Sequence, residues 1–169
     1  MAKRSTLQRS GQAMIYNFML NEVLASQFTE GYTFWVVAPW VTNFRLPTPY
    51  HVSFAEVVAI QEESLHLFDI FHQMAVNGGQ VHITVRSNTE YLGALRRLAE
   101  RDPSIQIHTL DDLHAKAYVG HYGALDGSFN LTYSGVNQNI ELYDYRHDVR
   151  SIAELRQQCK QLFDRARAL

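Results

Sequence analysis

Between Leu7 and Phe28 apolar residues recur at helical spacing (Ile15, Phe18, Met19, Val23, Leu24) and predict an amphipathic first helix. Gly31 ends that pattern, and Tyr32 to Val37 is dense in aromatic and β-branched residues, as a buried strand is, until Pro39 stops it. Thr42 to Ser53 carries Pro47 and Pro49 with little periodicity and reads as a surface loop. Phe54 to Val76 reads as helical, with a break expected, if anywhere, between Val58 and Glu62; Gly78-Gly79 terminates it. Val81 to Arg86 alternates apolar and polar residues as a strand. Thr89 to Arg101 turns Leu92, Leu95 and Leu98 to one face of a helix, and Ile105 to Thr109 is a further strand. From His114 to Tyr145 short strand-like runs are separated by Gly120, Gly123, Gly127 and Gly135. Ile152 to Arg167 closes the chain as an amphipathic helix with Leu155, Cys159, Leu162 and Ala166 on one face.

The β-α-β-α-β order predicts an α/β fold with a largely parallel sheet and right-handed crossovers. No repeat, low-complexity tract or linker divides the chain. The expected organisation is one domain over 1–169: an N-terminal helix within 1–30, a core over 32–150 and a C-terminal helix over 151–167.

Composition narrows the function classes. At 169 residues, 46% hydrophobic and 19% charged, the chain is an ordinary globular sequence and not a disordered one. A formal net charge of -2 provides no overall cationic surplus for coating a polyanion, although a local basic cleft is compatible with it. The single cysteine, Cys159, excludes an intramolecular disulfide and a thiolate zinc cluster, which suits the reducing cytoplasm, and its place on an apolar helix face predicts a buried, inert thiol. Gln8, Arg9, Gln12, Asn17, Asn21 and Glu22 interrupt the N-terminal apolar runs, so neither a signal peptide nor a membrane span is expected. The loop around Phe44, Leu46 and Tyr50 is the one hint of a membrane-docking surface. Glu63 and His66 form a single E-x-x-H pair, and the remaining histidines show no metal-ligand spacing, so a metal site is not expected.

The chemistry lies between Leu113 and Thr132, in LHAKAYVGHYGALDGSFNLT. Strand residues two apart share a side, so His114 and Lys116 project together while Ala115, Ala117 and Val119 pack inward. Ser128 and Asn130 follow the same rule. If the two segments pair, an imidazole, an ammonium, a hydroxyl and an amide converge on a pocket suited to a phosphoryl group. Lys116, Ser128 and Asn130 would donate hydrogen bonds, and His114 would act as nucleophile or acid–base group.

This stretch resembles the signature of the phospholipase D superfamily, H-x-K followed by an acidic residue and then G-S-x-N, here His114-Ala115-Lys116 and Gly127-Ser128-Phe129-Asn130. Asn139-Ile140-Glu141 is similar to the trailing N-x-E, and the strand ending in A-P-W and the segment V-H-I-T-V-R are similar to the superfamily's half-domain layout. The resemblance covers 32–148. It implies a mixed, largely parallel sheet flanked by helices, with one half-domain per chain. It also implies a metal-independent phosphodiesterase that forms a phosphohistidine on His114, with Glu141 supporting the imidazole and no cofactor. Because only one H-x-K is present, it implies a homodimer with one active site at the interface. Where the superfamily places aspartate five residues after the lysine, this chain has His121; Asp126, before Gly127, is the nearest acidic residue.

Small single-motif members are mostly nucleases, so the implied substrate is DNA more readily than RNA. Arg86 at a strand end and Trp40 after Pro39 are the candidate substrate-binding residues. A-P-W and T-Y-S-G-V-N resemble short bacterial defence-associated members, which implies an antiviral role and a regulatory protein partner. The competing reading is a catalytically silent or partner-gated binding subunit on the same fold; a phospholipid-cleaving enzyme ranks behind both.

Overall fold

The computed structural model describes residues 4–7, 11–58 and 63–169. In chain order the elements are β1 (Arg4–Leu7), α1 (Gly11–Phe28), β2 (Thr33–Val37), α2 (Thr48–Val58), α3 (Leu67–Val76), β3 (Gln80–Arg86) and α4 (Leu92–Arg101). There follow β4 (Ile105–Leu110), β5 (Ala117–Val119), β6 (Ala124–Gly127), α5 (Tyr133–Asn137), β7 (Leu142–Arg146), α6 (Val149–Arg165) and β8 (Arg167–Ala168).

The strands form one eight-stranded sheet in the order β1-β7-β6-β5-β2-β3-β4-β8. The sheet is mixed, as expected. Its parallel part is the β2-β3-β4 core, where α3 and α4 supply the crossovers. The balance within the sheet departs from the largely parallel expectation, because the other five pairings are antiparallel. Two of these come from β5-β6-β7: a tight glycine-containing turn over 120–123 joins β5 to β6, and the connection 128–141, which includes α5, brings β7 back antiparallel beside β6.

Alternation along the strands divides the core between two faces. Phe34 and Val36 of β2 join Phe71, Met74, Ile83, Leu95 and Tyr118 on the face covered by α1, α3 and α4. Trp35 and Val37 join Ala117, Val119, Ile152, Leu155 and Phe163 beneath α6. Burying a ring such as Phe34, Phe71 or Phe129, each at 0% exposure, contributes about 1.5–3 kcal/mol. Cys159 lies in the α6 layer, where burial pushes its thiol pKa up to about 12.

Three local expectations are corrected. The segment 42–53 is not all surface loop: α2 begins at Thr48, and Pro49 fits its first turn because a proline there removes no helical hydrogen bond. Phe44 and Leu46 are buried in the main core, not exposed for a membrane. Phe54 to Val76 is two helices, with 63–66 non-helical between them, so Glu63 and His66 share no helix; the rest of the expected break lies outside the described residues. Among the described residues, no helix is long and apolar enough to cross a membrane.

Candidate active site

The register brings the motif residues to one end of the sheet. At the carboxyl end of β2, Val37 is paired with Thr84 of β3 on one side and with Ala117 of β5 on the other. Because β5 runs antiparallel to β2, Lys116 enters the sheet where β2 and β3 leave it. Ala117 in turn faces Asp126, and Gly127 faces Tyr143, so Ser128 and Glu141 arrive at the same end from β6 and β7. Trp40 follows β2 and Arg86 ends β3. The site therefore occupies the crevice beyond the strands' carboxyl ends, where the sheet switches from parallel to antiparallel.

His114 and Lys116 lie in extended chain just ahead of β5, not within it. The Lys116 ammonium donates to the His114 carbonyl at 2.8 Å and lies 3.4 Å from its Nδ1. Arg86 anchors this approach: its Nε and a terminal nitrogen donate to the Leu113 carbonyl at 3.2 and 2.8 Å. Burial pulls the Lys116 pKa below its ordinary value; the Glu141 carboxylate opposes that shift and the Arg86 guanidinium adds to it. These three charges therefore act on one another across a single small site.

Opposite them, Gly127 N–H donates to the Lys116 carbonyl at 3.2 Å, and Ser128 N–H donates to the Leu142 carbonyl at 2.8 Å. A Cβ on Gly127 would collide with the Leu142 carbonyl oxygen and sit 2.6 Å from Tyr143 Cα, so only glycine permits this approach of β6 to β7. Ser128 Oγ accepts from Leu142 N–H at 3.0 Å and donates to Glu141. Phe129 turns inward, buried against Tyr118 and Tyr143, and the Tyr118 hydroxyl donates to its carbonyl at 2.7 Å. That inward turn sends Ser128 and Asn130 outward. Asn130 Oδ1 accepts from Trp40 N–H at 3.3 Å, tying the motif to the end of β2.

Glu141 is the sequence candidate whose contacts differ from expectation. Its oxygens accept from Ser128 and, at 3.2 Å, from Asn139 Nδ2, while the imidazole of His114 is faced by Lys116.

No family model matches the sequence, and no characterised protein matches it at the sequence level. Solved structures do match. Nuc from Salmonella typhimurium, a phospholipase D family member, superposes with a TM-score of 0.63 at 13% identity over 99% of this chain and 97% of its own. NucT from Helicobacter pylori gives 0.65 at 12% identity over 99% of both chains. The archaeal chromatin protein TrmBL2 gives 0.61 at 12% identity, covering all of this chain and 54% of that one. The chain shares the fold of the phospholipase D family structure, Nuc.

The turn that carries His121 is held by a carboxylate that sequence reasoning did not find. Glu22 of α1 is buried at 1% exposure beneath the β5–β6 turn. Its carboxylate accepts from His121 N–H at 2.7 Å, Tyr122 N–H at 3.1 Å and the Tyr32 hydroxyl at 2.9 Å. Arg156 of α6 donates to the Gly120 carbonyl at 2.7 Å from the other layer. Asp126, the nearest acidic residue in the motif, is engaged elsewhere, in a bidentate pair with Arg146 at 2.8 and 2.9 Å. The one sequence signal for Glu22 is an acidic residue on the otherwise apolar face that includes Met19 and Val23.

Proposed function

We propose that this chain is a metal-independent phosphodiesterase of the phospholipase D type that cuts DNA through a phosphohistidine on His114. The observation carrying the proposal is the convergence of His114, Lys116, Ser128 and Asn130, with Arg86 and Glu141 behind them, at one end of a phospholipase D fold. Lys116 and Arg86 offer fixed positive charge to the phosphoryl oxygens, and Ser128 and Asn130 offer neutral donors. The phospholipase D and DNA-binding descriptions of the structural neighbours support a nucleic-acid phosphodiester as substrate.

The chemistry is two in-line displacements. An imidazole nitrogen of His114 attacks phosphorus, an N–P bond forms and the P–O ester bond breaks. The leaving oxygen takes a proton from a second imidazole, which next deprotonates water; that water cleaves the N–P bond and frees His114. A single motif contains no second imidazole of this kind, so a second copy of the chain supplies it in a symmetric dimer.

Lys116 lies 3.4 Å from His114 Nδ1, close enough to hold a phosphoryl group against the attacking imidazole. The resemblance of A-P-W and T-Y-S-G-V-N to defence-associated members supports a cytoplasmic, partner-restrained role against foreign DNA.

The test is cleavage of labelled single- and double-stranded DNA in excess chelator by wild type and His114→Ala. Chelator-resistant cutting absent from the variant is the expected result. Equal cutting by both would remove His114 from the mechanism. DNA binding without cutting would favour the second reading, a silent binding subunit, which the match to a chromatin protein supports.

A further inference from the structure

Beside Asn130 the surface opens into a groove of about 790 Å³ that the catalytic residues do not line. Trp40 forms one wall, Asn88, Glu90 and Tyr91 come from the β3–α4 connection, and Tyr133 and Gln138 come from around α5. Trp40 and Tyr133 are 44% and 46% exposed, unusually open for rings that flank a polar site. Tyr133 is braced edge-on by Phe44 at 6.3 Å between ring centres, so its ring is presented and not loose. The groove is continuous with the catalytic end through the Trp40 N–H to Asn130 hydrogen bond.

The lining decides what the groove can take. Among the described residues it is lined by no lysine or arginine, and its one charge there, Glu90, is negative. A strand leaving the catalytic phosphate therefore cannot lay its phosphates here, because nothing neutralises them. An acyl chain is equally ill served, since amides and hydroxyls line the groove and would lose their hydration unpaired. Planar rings with hydrogen-bonding edges meet both requirements: aromatic faces stack them, and Asn88 and Gln138 each offer a donor and an acceptor. In a duplex those faces are already covered by neighbouring base pairs.

We propose that this groove is a nucleobase subsite and that the substrate is single-stranded, with an unpaired base next to the scissile phosphate stacked on Trp40 and Tyr133. The proposal rests on the phosphodiesterase reading of the adjoining site.

The experiment uses the full chain carrying His114→Ala, so that substrate is held without turnover. Labelled oligothymidylate, an abasic oligodeoxyribonucleotide of equal length and a blunt duplex are titrated by fluorescence anisotropy. The oligothymidylate should bind about tenfold more tightly than the abasic strand or the duplex, and Trp40→Ala and Tyr133→Ala should each remove most of that advantage. Base binding should also quench the emission of Trp40, since the other tryptophan, Trp35, is buried beneath α6 at 7% exposure. Equal affinity for the abasic strand would overturn the subsite, leaving backbone contacts alone. A lower dimer fraction in sedimentation of Trp40→Ala would overturn it too, assigning the groove to contact between copies. Chelator-resistant hydrolysis of bis(4-nitrophenyl) phosphate by the wild type separates the two failures. With hydrolysis but no base preference, only the groove proposal falls; without hydrolysis or strand binding, the phosphodiesterase reading falls with it.

Discussion

Gly127 and Lys116 face each other across the mouth of the site, and each makes a demand that no other residue type satisfies. At Gly127 the backbone of β7 is too close for any side chain, so Gly127→Ala must push β6 outward and carry Ser128 with it. That overpacking should cost about 1–3 kcal/mol, read as a lower urea midpoint, with loss of cleavage exceeding the loss of folded protein. Lys116 needs its proton to hold phosphate, and its lowered pKa means activity fades as pH rises while still below 10.5. Arginine stays protonated throughout that range, so in Lys116→Arg the alkaline limb of the kcat/KM profile should move to higher pH even if its plateau is lower. An unmoved limb would show that another group titrates there. At this scale alternation read Ser128 and Asn130 correctly as projecting together, but it misread Ala115, which is exposed and not packed inward because His114 to Lys116 lie ahead of β5 and in no strand. The sequence was unreadable for Glu22, because a buried carboxylate is made useful by backbone donors about a hundred positions away, and no local pattern records them.

Among the elements, α1 does more than cover the sheet. Through Glu22 it clamps the β5–β6 turn, and that turn sets the Ala117–Asp126 register on which the meeting of Lys116 and Ser128 depends. Glu22→Ala would remove the acceptor of the Tyr32 hydroxyl, buried at 1% exposure, and of two backbone N–H groups in the turn. A loss of about 3 kcal/mol is expected in denaturant unfolding; a change below about 0.5 kcal/mol would mean that water replaces the carboxylate without cost. Strong periodicity made α4, α6, β2 and β3 legible from the chain alone. β1 was missed because four residues give too short a window for a period, and its pairing with β7 comes from the far end of the sequence. The first half of α2 was read as loop because Pro47 and Pro49 mark a helix start as readily as a loop, while Phe54 to Val58 fell within the expected helix.

For the whole molecule, the proposed reaction turns on where its second imidazole comes from. His114 is exposed at the rim, and Ile140 and Leu142, flanking Glu141, are 74% and 53% exposed. If a second copy covers this surface, a two-fold axis near Glu141 would bring two motifs together, and each imidazole would serve one displacement. Combining Ile140→Glu with Leu142→Glu would place four new carboxylates across such an interface, two from each copy. Sedimentation should then read a monomer, circular dichroism should be unchanged, and cleavage should fall by about 100-fold or more, the typical worth of a positioned acid–base group. For wild type diluted through its dissociation range, specific activity should fall in step with the dimer fraction. A monomeric variant that keeps full activity would show that one histidine suffices, and the proton for the leaving oxygen would then have to come from within the chain or from water.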